Sequence, residues 1–85
     1  MPRKDDLRLI DIQRIALKLE RIITDKESFL TDEITQDAVA YNLLAIGETC
    51  SNLSEALKTK HPEVPWAAIR GIRNLLAHEY FVVDP

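Results

Sequence analysis

Val39-Ala40-Tyr41-Asn42-Leu43-Leu44-Ala45-Ile46-Gly47-Glu48-Thr49-Cys50-Ser51-Asn52-Leu53-Ser54-Glu55-Ala56-Leu57 is the stretch whose pattern decides the fold. Val39, Leu43, Ile46, Cys50, Leu53 and Leu57 follow one another at spacings of 4, 3, 4, 3 and 4 residues. That alternation keeps one apolar seam on one side of an α-helix, close to the repeat of a coiled coil. A second apolar line, Ile34, Ala38, Tyr41 and Ala45, runs beside it. The pattern predicts a helix from Ile34 to about Lys58 that meets more than one neighbour along its first half.

Toward the N-terminus, Leu9, Ile12, Ile15, Leu19 and Ile22 recur at three- and four-residue intervals, which predicts a helix from about Asp5 to Thr24. Asp5 and Asp6 suit its first turn, where backbone N–H groups lack partners. Residues 25–33 connect the two helices, with a single helical turn expected around Phe29 and Leu30 and Asp32 as N-cap of the next helix. Toward the C-terminus, His61-Pro62-Glu63-Val64-Pro65 breaks the pattern, because each proline disfavours helix in the residue before it. A third helix is expected to start near Pro65 or Trp66 and to reach at least Ala77, with Phe81-Val82-Val83-Asp84-Pro85 leading out of it. The sum is an all-α, antiparallel helical bundle, one domain over residues 1–85.

Composition narrows the function. A chain of 85 residues buries only about 60–65% of its unfolded surface, so partner subunits are an ordinary way to complete its core. The net charge of −3 argues against bulk binding to nucleic acid and requires any RNA chemistry to sit in a local basic site. One cysteine, Cys50, can form no internal disulfide. No signal peptide and no membrane-length apolar run is visible, which makes the cytoplasm the expected location. Two glycines leave no phosphate-binding loop, and no cysteine–histidine cluster suggests a metal, so neither a cofactor nor a metal site is expected.

The residues with chemical potential lie in Trp66-Ala67-Ala68-Ile69-Arg70-Gly71-Ile72-Arg73-Asn74-Leu75-Leu76-Ala77-His78-Glu79-Tyr80-Phe81. Arg70, Asn74 and His78 stack along one narrow line at i, i+4, with Arg73 beside it. The rest of the circumference is apolar, so the helix is expected to be buried on most sides, its polar line facing a cleft or a second copy of the chain. Arg73 and His78 are five apart and diverge by about 140° on an ideal helix. They converge on one phosphate only where the helix loosens near His78 or where a second chain completes the site.

Arg73-Asn74-Leu75-Leu76-Ala77-His78-Glu79-Tyr80 resembles the R-x4-H-x-Y signature of the HepT branch of HEPN proteins. The context agrees in Ile46-Gly47-Glu48, in His61-Pro62-Glu63-Val64-Pro65-Trp66, and in Ile69-Arg70-Gly71-Ile72 before the motif. The resemblance implies a toxin of a toxin–antitoxin pair, a metal-independent endoribonuclease whose RNA cleft is assembled across a homodimer. It implies Arg73 and His78 as catalytic pair and Asn74 as the supporting polar residue. Tyr80 is then the residue that a cognate nucleotidyltransferase antitoxin would adenylylate. Chains of this kind usually continue with a further C-terminal helix, and a sequence stopping at Pro85 is expected to lack it.

The residues leave alternatives open. Glu48 either pairs across helices with Arg70 or Arg73 or faces solvent, and Arg70 either binds phosphate or pairs with an acid. Asn74 either supports the site or merely solvates the helix, and Tyr80 is either the modified residue or an ordinary aromatic. His61 reads as a loop residue; Trp66, Cys50 and Tyr41 read as core or interface. For the protein as a whole, the rivals to a ribonuclease are a non-catalytic helical module that docks to the nucleotidyltransferase and a plain dimerisation bundle. The Arg73, Asn74 and His78 set favours a ribonuclease over a plain bundle, while the expected lack of a last helix favours the docking module over the ribonuclease. Metal-free cleavage of RNA needs a base for the 2′-OH, an acid for the departing 5′-oxygen and a cation on the phosphorane. Histidine serves either proton role near neutral pH, and arginine holds two phosphate oxygens at once. A two-fold dimer would bring two of each to one cleft.

Overall fold

Asp5 and Asp6 open the first helix, α1, which runs over Asp5–Ile22 with Arg21 in its last turn, charges matched to both ends of the helix dipole. Ile12, Ile15, Leu19 and Ile22 are partly covered as expected, whereas Leu9 on the same line is exposed. The computed structural model describes residues 4–81. Among them every regular element is helical. After α1 come Lys26–Thr31 as α2, Glu33–Ser51 as α3, Glu55–Lys60 as α4, Trp66–Leu76 as α5, and a π-helical turn over Ala77–Phe81. The protein is an all-α helical bundle. No helix of the described residues is long and apolar enough to cross a membrane.

Local chemistry sets most boundaries. Asp25 caps α2 by accepting the Ser28 N–H at 2.7 Å, and Asp32 caps α3 by accepting the Ile34 N–H at 3.2 Å. Gln36 donates to the carbonyls of Phe29 and Leu30, closing the end of α2 onto α3. The Trp66 indole donates to the His61 carbonyl at 3.0 Å and pins the proline loop, while the His61 ring meets Glu63 within that loop. Pro65 caps α5 rather than entering it, and its carbonyl accepts the Ile69 N–H. Residues 82–85 of the expected exit lie outside the described residues.

One expectation is overturned. The helix predicted to run to Lys58 breaks at Asn52-Leu53-Ser54, and α4 starts afresh. Thr49, Ser51 and Asn52 each hydrogen-bond a carbonyl one turn back, which competes with the helical ladder. Ser54 then caps α4 by accepting the Leu57 N–H, while its own N–H and hydroxyl both donate to the Asp5 carboxylate. These bonds, the hydroxyl's first, hold the Asp5 pKa below the usual carboxylate range. A contact across 49 residues thus fixes a corner that the heptad spacing runs straight through.

Helix α3 is the spine. Helices α1 and α5 pack on it, α2 touches its start, and α1 and α5 barely meet each other. The buried residues Val39, Ala40, Cys50 and Leu53 therefore all lie on α3 or just past its end. Burial pushes the Cys50 thiol pKa up, so it packs as a neutral small hydrophobe. Asn42 is buried too and satisfies itself by donating to the Ala38 carbonyl at 2.7 Å. The second apolar line fares differently: Ile34 and Tyr41 are 79% and 60% exposed, whereas Ala38 and Ala45 beside them are partly covered.

The approach of α5 to α3 is set at Gly47. A Cβ there would lie 2.5 Å from the Arg73 Cβ and 2.9 Å from its Cγ, too close for any side chain. Gly71 on α5 has open space instead, with nothing within 4 Å of an added Cβ. The two glycines should respond oppositely to alanine. Gly47→Ala forces the helices apart and should cost about 1–3 kcal/mol. Gly71→Ala should stabilise by about 0.5–1 kcal/mol through helix propensity. Urea midpoints of the two variants test this; equal effects of one sign would show that Gly47 does not govern the packing.

Candidate active site

The α5 helix carries the residues of interest because α3 covers only one of its sides. Ile69, Arg73 and Leu76 lie toward α3 and are partly covered, while Arg70 and Asn74 are exposed. Ile72 and Leu75 are 53% and 59% exposed, so the expectation that this helix is buried on most sides is not met within a single chain. One covering helix can bury one stripe, and the remaining apolar faces stay open.

Arg73 bonds both across the helix crossing and along its own helix. Its backbone sits over Gly47, and its side chain runs along α3 to the next residue, Glu48. Nε and Nη2 both donate to the Glu48 Oε2, at 2.8 and 2.7 Å. Nη1 donates to the Asn74 Oδ1 at 2.6 Å. The cross-helix pairing therefore goes to Arg73 and not to Arg70, and Asn74 bonds its neighbour. With Glu48 half exposed, the pair contributes within about 1 kcal/mol to folding; its consequence is orientation of the guanidinium fork. The remaining N–H donors of that fork meet no acceptor among the described residues.

Two clefts meet at Arg73. One, of about 500 Å³, is lined by Tyr41, Leu44, Ala45, Glu48, Arg73 and Ala77. The other, of about 460 Å³, is lined by Ser51, Glu55, Lys58, Arg70, Arg73 and Asn74. Arg70 has no hydrogen bond or ion pair among the described residues, so its alternative of pairing with an acid is not realised there.

His78 lies in the π-helical turn, fully on the wet side, and lines neither cleft. The loosening that convergence requires is present, since a π turn closes on the fifth residue rather than the fourth. Even so, among the described residues no hydrogen bond or ion pair joins His78 to Arg73, Asn74 or Glu48. The backbone of Tyr80 belongs to the same turn, and its side chain lies outside the described residues. Among the described residues no group of three or more His, Cys, Asp or Glu is placed to hold a metal ion.

Lys58 and Ser51 are the cleft residues that sequence reasoning missed. Both would have been assigned to the flank of one long helix. The side-chain donors of Thr49, Ser51 and Asn52, clustered just before Ser54, were the signal for the break that brings Lys58 round.

An all-α bundle with an oriented arginine, a neighbouring asparagine and a histidine on the following turn defines the class. Residues 12–85 match the family described as ribonuclease HepT-like, and the chain belongs to that family. It is 45% identical over 58 residues to "Probable ribonuclease HepT" of Thermococcus cleftensis, covering 68% of this chain and 53% of that one. It is 41% identical over 58 residues to an inferred RNase of Methanocaldococcus jannaschii, covering 68% of this chain and 48% of the relative. An inferred RNase of Caldanaerobacter subterraneus is likewise 41% identical over 58 residues, with 68% of this chain and 52% of the relative covered. The chain thus spans about half the length of these relatives. No solved structure matches it at a comparable level of significance.

Proposed function

We propose that this chain, acting as one domain in the cytoplasm without a cofactor, is the toxin of a toxin–antitoxin pair and a metal-independent endoribonuclease. Arg73 and His78 are its catalytic pair, and the RNA cleft lies between two copies of the chain. The observation that carries this reading is the Arg73 guanidinium. It is laid over Gly47, oriented by Glu48 and Asn74, and presented at the junction of two clefts in a member of a ribonuclease family.

The chemistry rests on the groups present. The 2′-hydroxyl of the nucleotide before the cut loses its proton to a neutral histidine and its oxygen attacks the phosphorus. The bond from phosphorus to the 5′-oxygen breaks, and that oxygen takes a proton from a histidinium. The products are a 2′,3′-cyclic phosphate and a 5′-hydroxyl. The free N–H donors of Arg73 stabilise the charge on the non-bridging oxygens as it builds. One His78 per chain supplies one proton carrier, and two chains supply the acid and the base.

Dimerisation is supported by the outer side of α5. Ile72 and Leu75 are exposed there beside Gly71, Arg70, Asn74 and His78, and no described helix covers them. A second copy packed on this side would bury the apolar pair and set the two His78 side chains toward a shared groove. A second reading, a non-catalytic module that docks to a nucleotidyltransferase, draws on a different surface: Leu7, Leu9, Ile10 and Leu17 of α1 are also uncovered.

In EDTA the purified chain should cut single-stranded RNA and leave cyclic-phosphate ends. Arg73→Ala and His78→Ala should each lose roughly 10²–10⁴ in rate, with folding stability within about 1 kcal/mol of the parent. A variant that melts far below the parent marks a structural residue, and intact cleavage by either variant removes it from the catalytic pair. Sedimentation at about ten micromolar, an ordinary concentration against protein affinities, should show a dimer. Ile72→Asp with Leu75→Asp should give a folded monomer with little activity, whereas a parent that sediments as a monomer overturns the shared cleft. On the same reading, a cognate nucleotidyltransferase transfers AMP from ATP to Tyr80: the phenolic oxygen loses its proton and attacks the α-phosphorus, pyrophosphate leaves, and the phosphodiester formed brings a negative charge to the chain. Mass spectrometry after co-expression should find an AMP adduct on Tyr80; full neutralisation of an unmodified chain would show inhibition by docking alone.

A further inference from the structure

We infer that the cleft between α4 and α5, on the Asn74 side of Arg73, is a subsite for a backbone phosphate of single-stranded RNA next to the bond that is cut. This rests on the ribonuclease reading and adds to it a binding site with Lys58 and Arg70 as its cations.

Lys58, Arg70 and Arg73 face a single cleft carboxylate, Glu55, in a chain whose net charge is −3. Glu48 offsets Arg73 and Glu55 stands near Lys58, so three cations against two carboxylates leave a net charge of +1, carried by Arg70, which has no partner among the described residues. Glu55 is 3.8 Å from the Lys58 ammonium and 89% exposed, a contact of little worth that is free to swing aside. The Lys58 side chain itself is only 15% exposed and donates to the Ser51 carbonyl at 3.2 Å, at the end of α3. That bond holds the ammonium in place without supplying a negative charge. A partly desolvated cation of this kind gains most from an anion that brings a full charge to it.

Arg70 is complementary. Its fork is exposed and, among the described residues, makes no hydrogen bond or ion pair. It stands one turn from Arg73 on α5, with Lys58 opposite on α4. Arg73 lines both clefts, so a strand whose scissile phosphate meets Arg73 has its neighbouring phosphate within the basic cleft. The Ser51 hydroxyl is engaged with the Gly47 carbonyl at 3.0 Å, and the recognition is therefore by charge rather than by base.

The test uses the full chain and a fluorescent 2′-O-methyl octanucleotide, which cannot be cut because it lacks the nucleophilic hydroxyl. Binding is followed by anisotropy between about 50 and 200 mM salt, alongside cleavage of the matching RNA. Arg70→Gln, at an exposed position, should weaken binding about tenfold at low salt and shallow the salt slope by about 0.7, as for one lost phosphate contact. Lys58→Met should do the same, with Lys58→Arg restoring the slope, which separates loss of charge from loss of the Ser51 contact. Replacing the linkage beside the scissile position by a neutral methylphosphonate should weaken parent binding and have little further effect on Arg70→Gln.

A chain that binds in this manner but cuts no RNA keeps the subsite and removes the ribonuclease reading. Cleavage with salt slopes unchanged in both variants overturns the subsite alone. So does competition by inorganic phosphate as effective, per phosphate, as the oligonucleotide, which would mark a free-anion site. Variants that bind RNA normally and lose only the nucleotidyltransferase would assign the cleft to a protein partner instead.

Discussion

The close approach of α5 to α3 at Gly47 is the constraint on which the rest of the structure depends. The distance between packed helices is set by the side chains at their crossing, and here one helix contributes none. Arg73 occupies the space that a Cβ would take. Because its Cβ and Cγ lie against α3, its guanidinium arrives beside Glu48, one residue further along. The same contact divides the surface between the two helices into an apolar cleft and a basic one. A single missing side chain thus sets packing, orientation and the shape of the candidate site together.

The second device is the corner after α3. Side chains that bond back to the helix weaken its last turn, and Asp5 captures Ser54 from the far end of the chain. The carboxylate is held below its usual pKa by those bonds, so the clamp is present at neutral pH and is lost only as the pH falls through that lowered value. Its structural effect is to turn α4 so that Lys58 faces Arg70 across a cleft. An acidic chain acquires a local positive site without a basic composition, which is how a net charge of −3 coexists with membership of a ribonuclease family.

What a single chain leaves open is as informative as what it closes. Helices α1 and α5 both pack on α3 and hardly touch each other, and among the described residues large apolar side chains on every long helix remain exposed. The π turn carries His78 outward, away from both clefts at Arg73. Among the described residues, His78 and the apolar Ile72 and Leu75 of α5 are all exposed.

Much of this was legible in the residues themselves. The periodicity of α1 and α3, the caps at Asp32 and the proline loop, the all-α class and the R-x4-H-x-Y resemblance are local or repetitive signals, carried by spacing within a turn or two of helix. The alternatives at Glu48, Arg70 and Asn74 were open because each depends on which side chain reaches which across a helix crossing. The break at Asn52-Leu53-Ser54 was masked by the heptad spacing that continues through it; the polar side chains before Ser54 were its local signal, and Asp5, distant in sequence, fixes the corner. The exposure of Ile34, Tyr41, Ile72 and Leu75 escaped for a related reason. An apolar pattern states what a helix would gain by being covered, but whether a neighbour exists to cover it is settled only when the whole chain is packed.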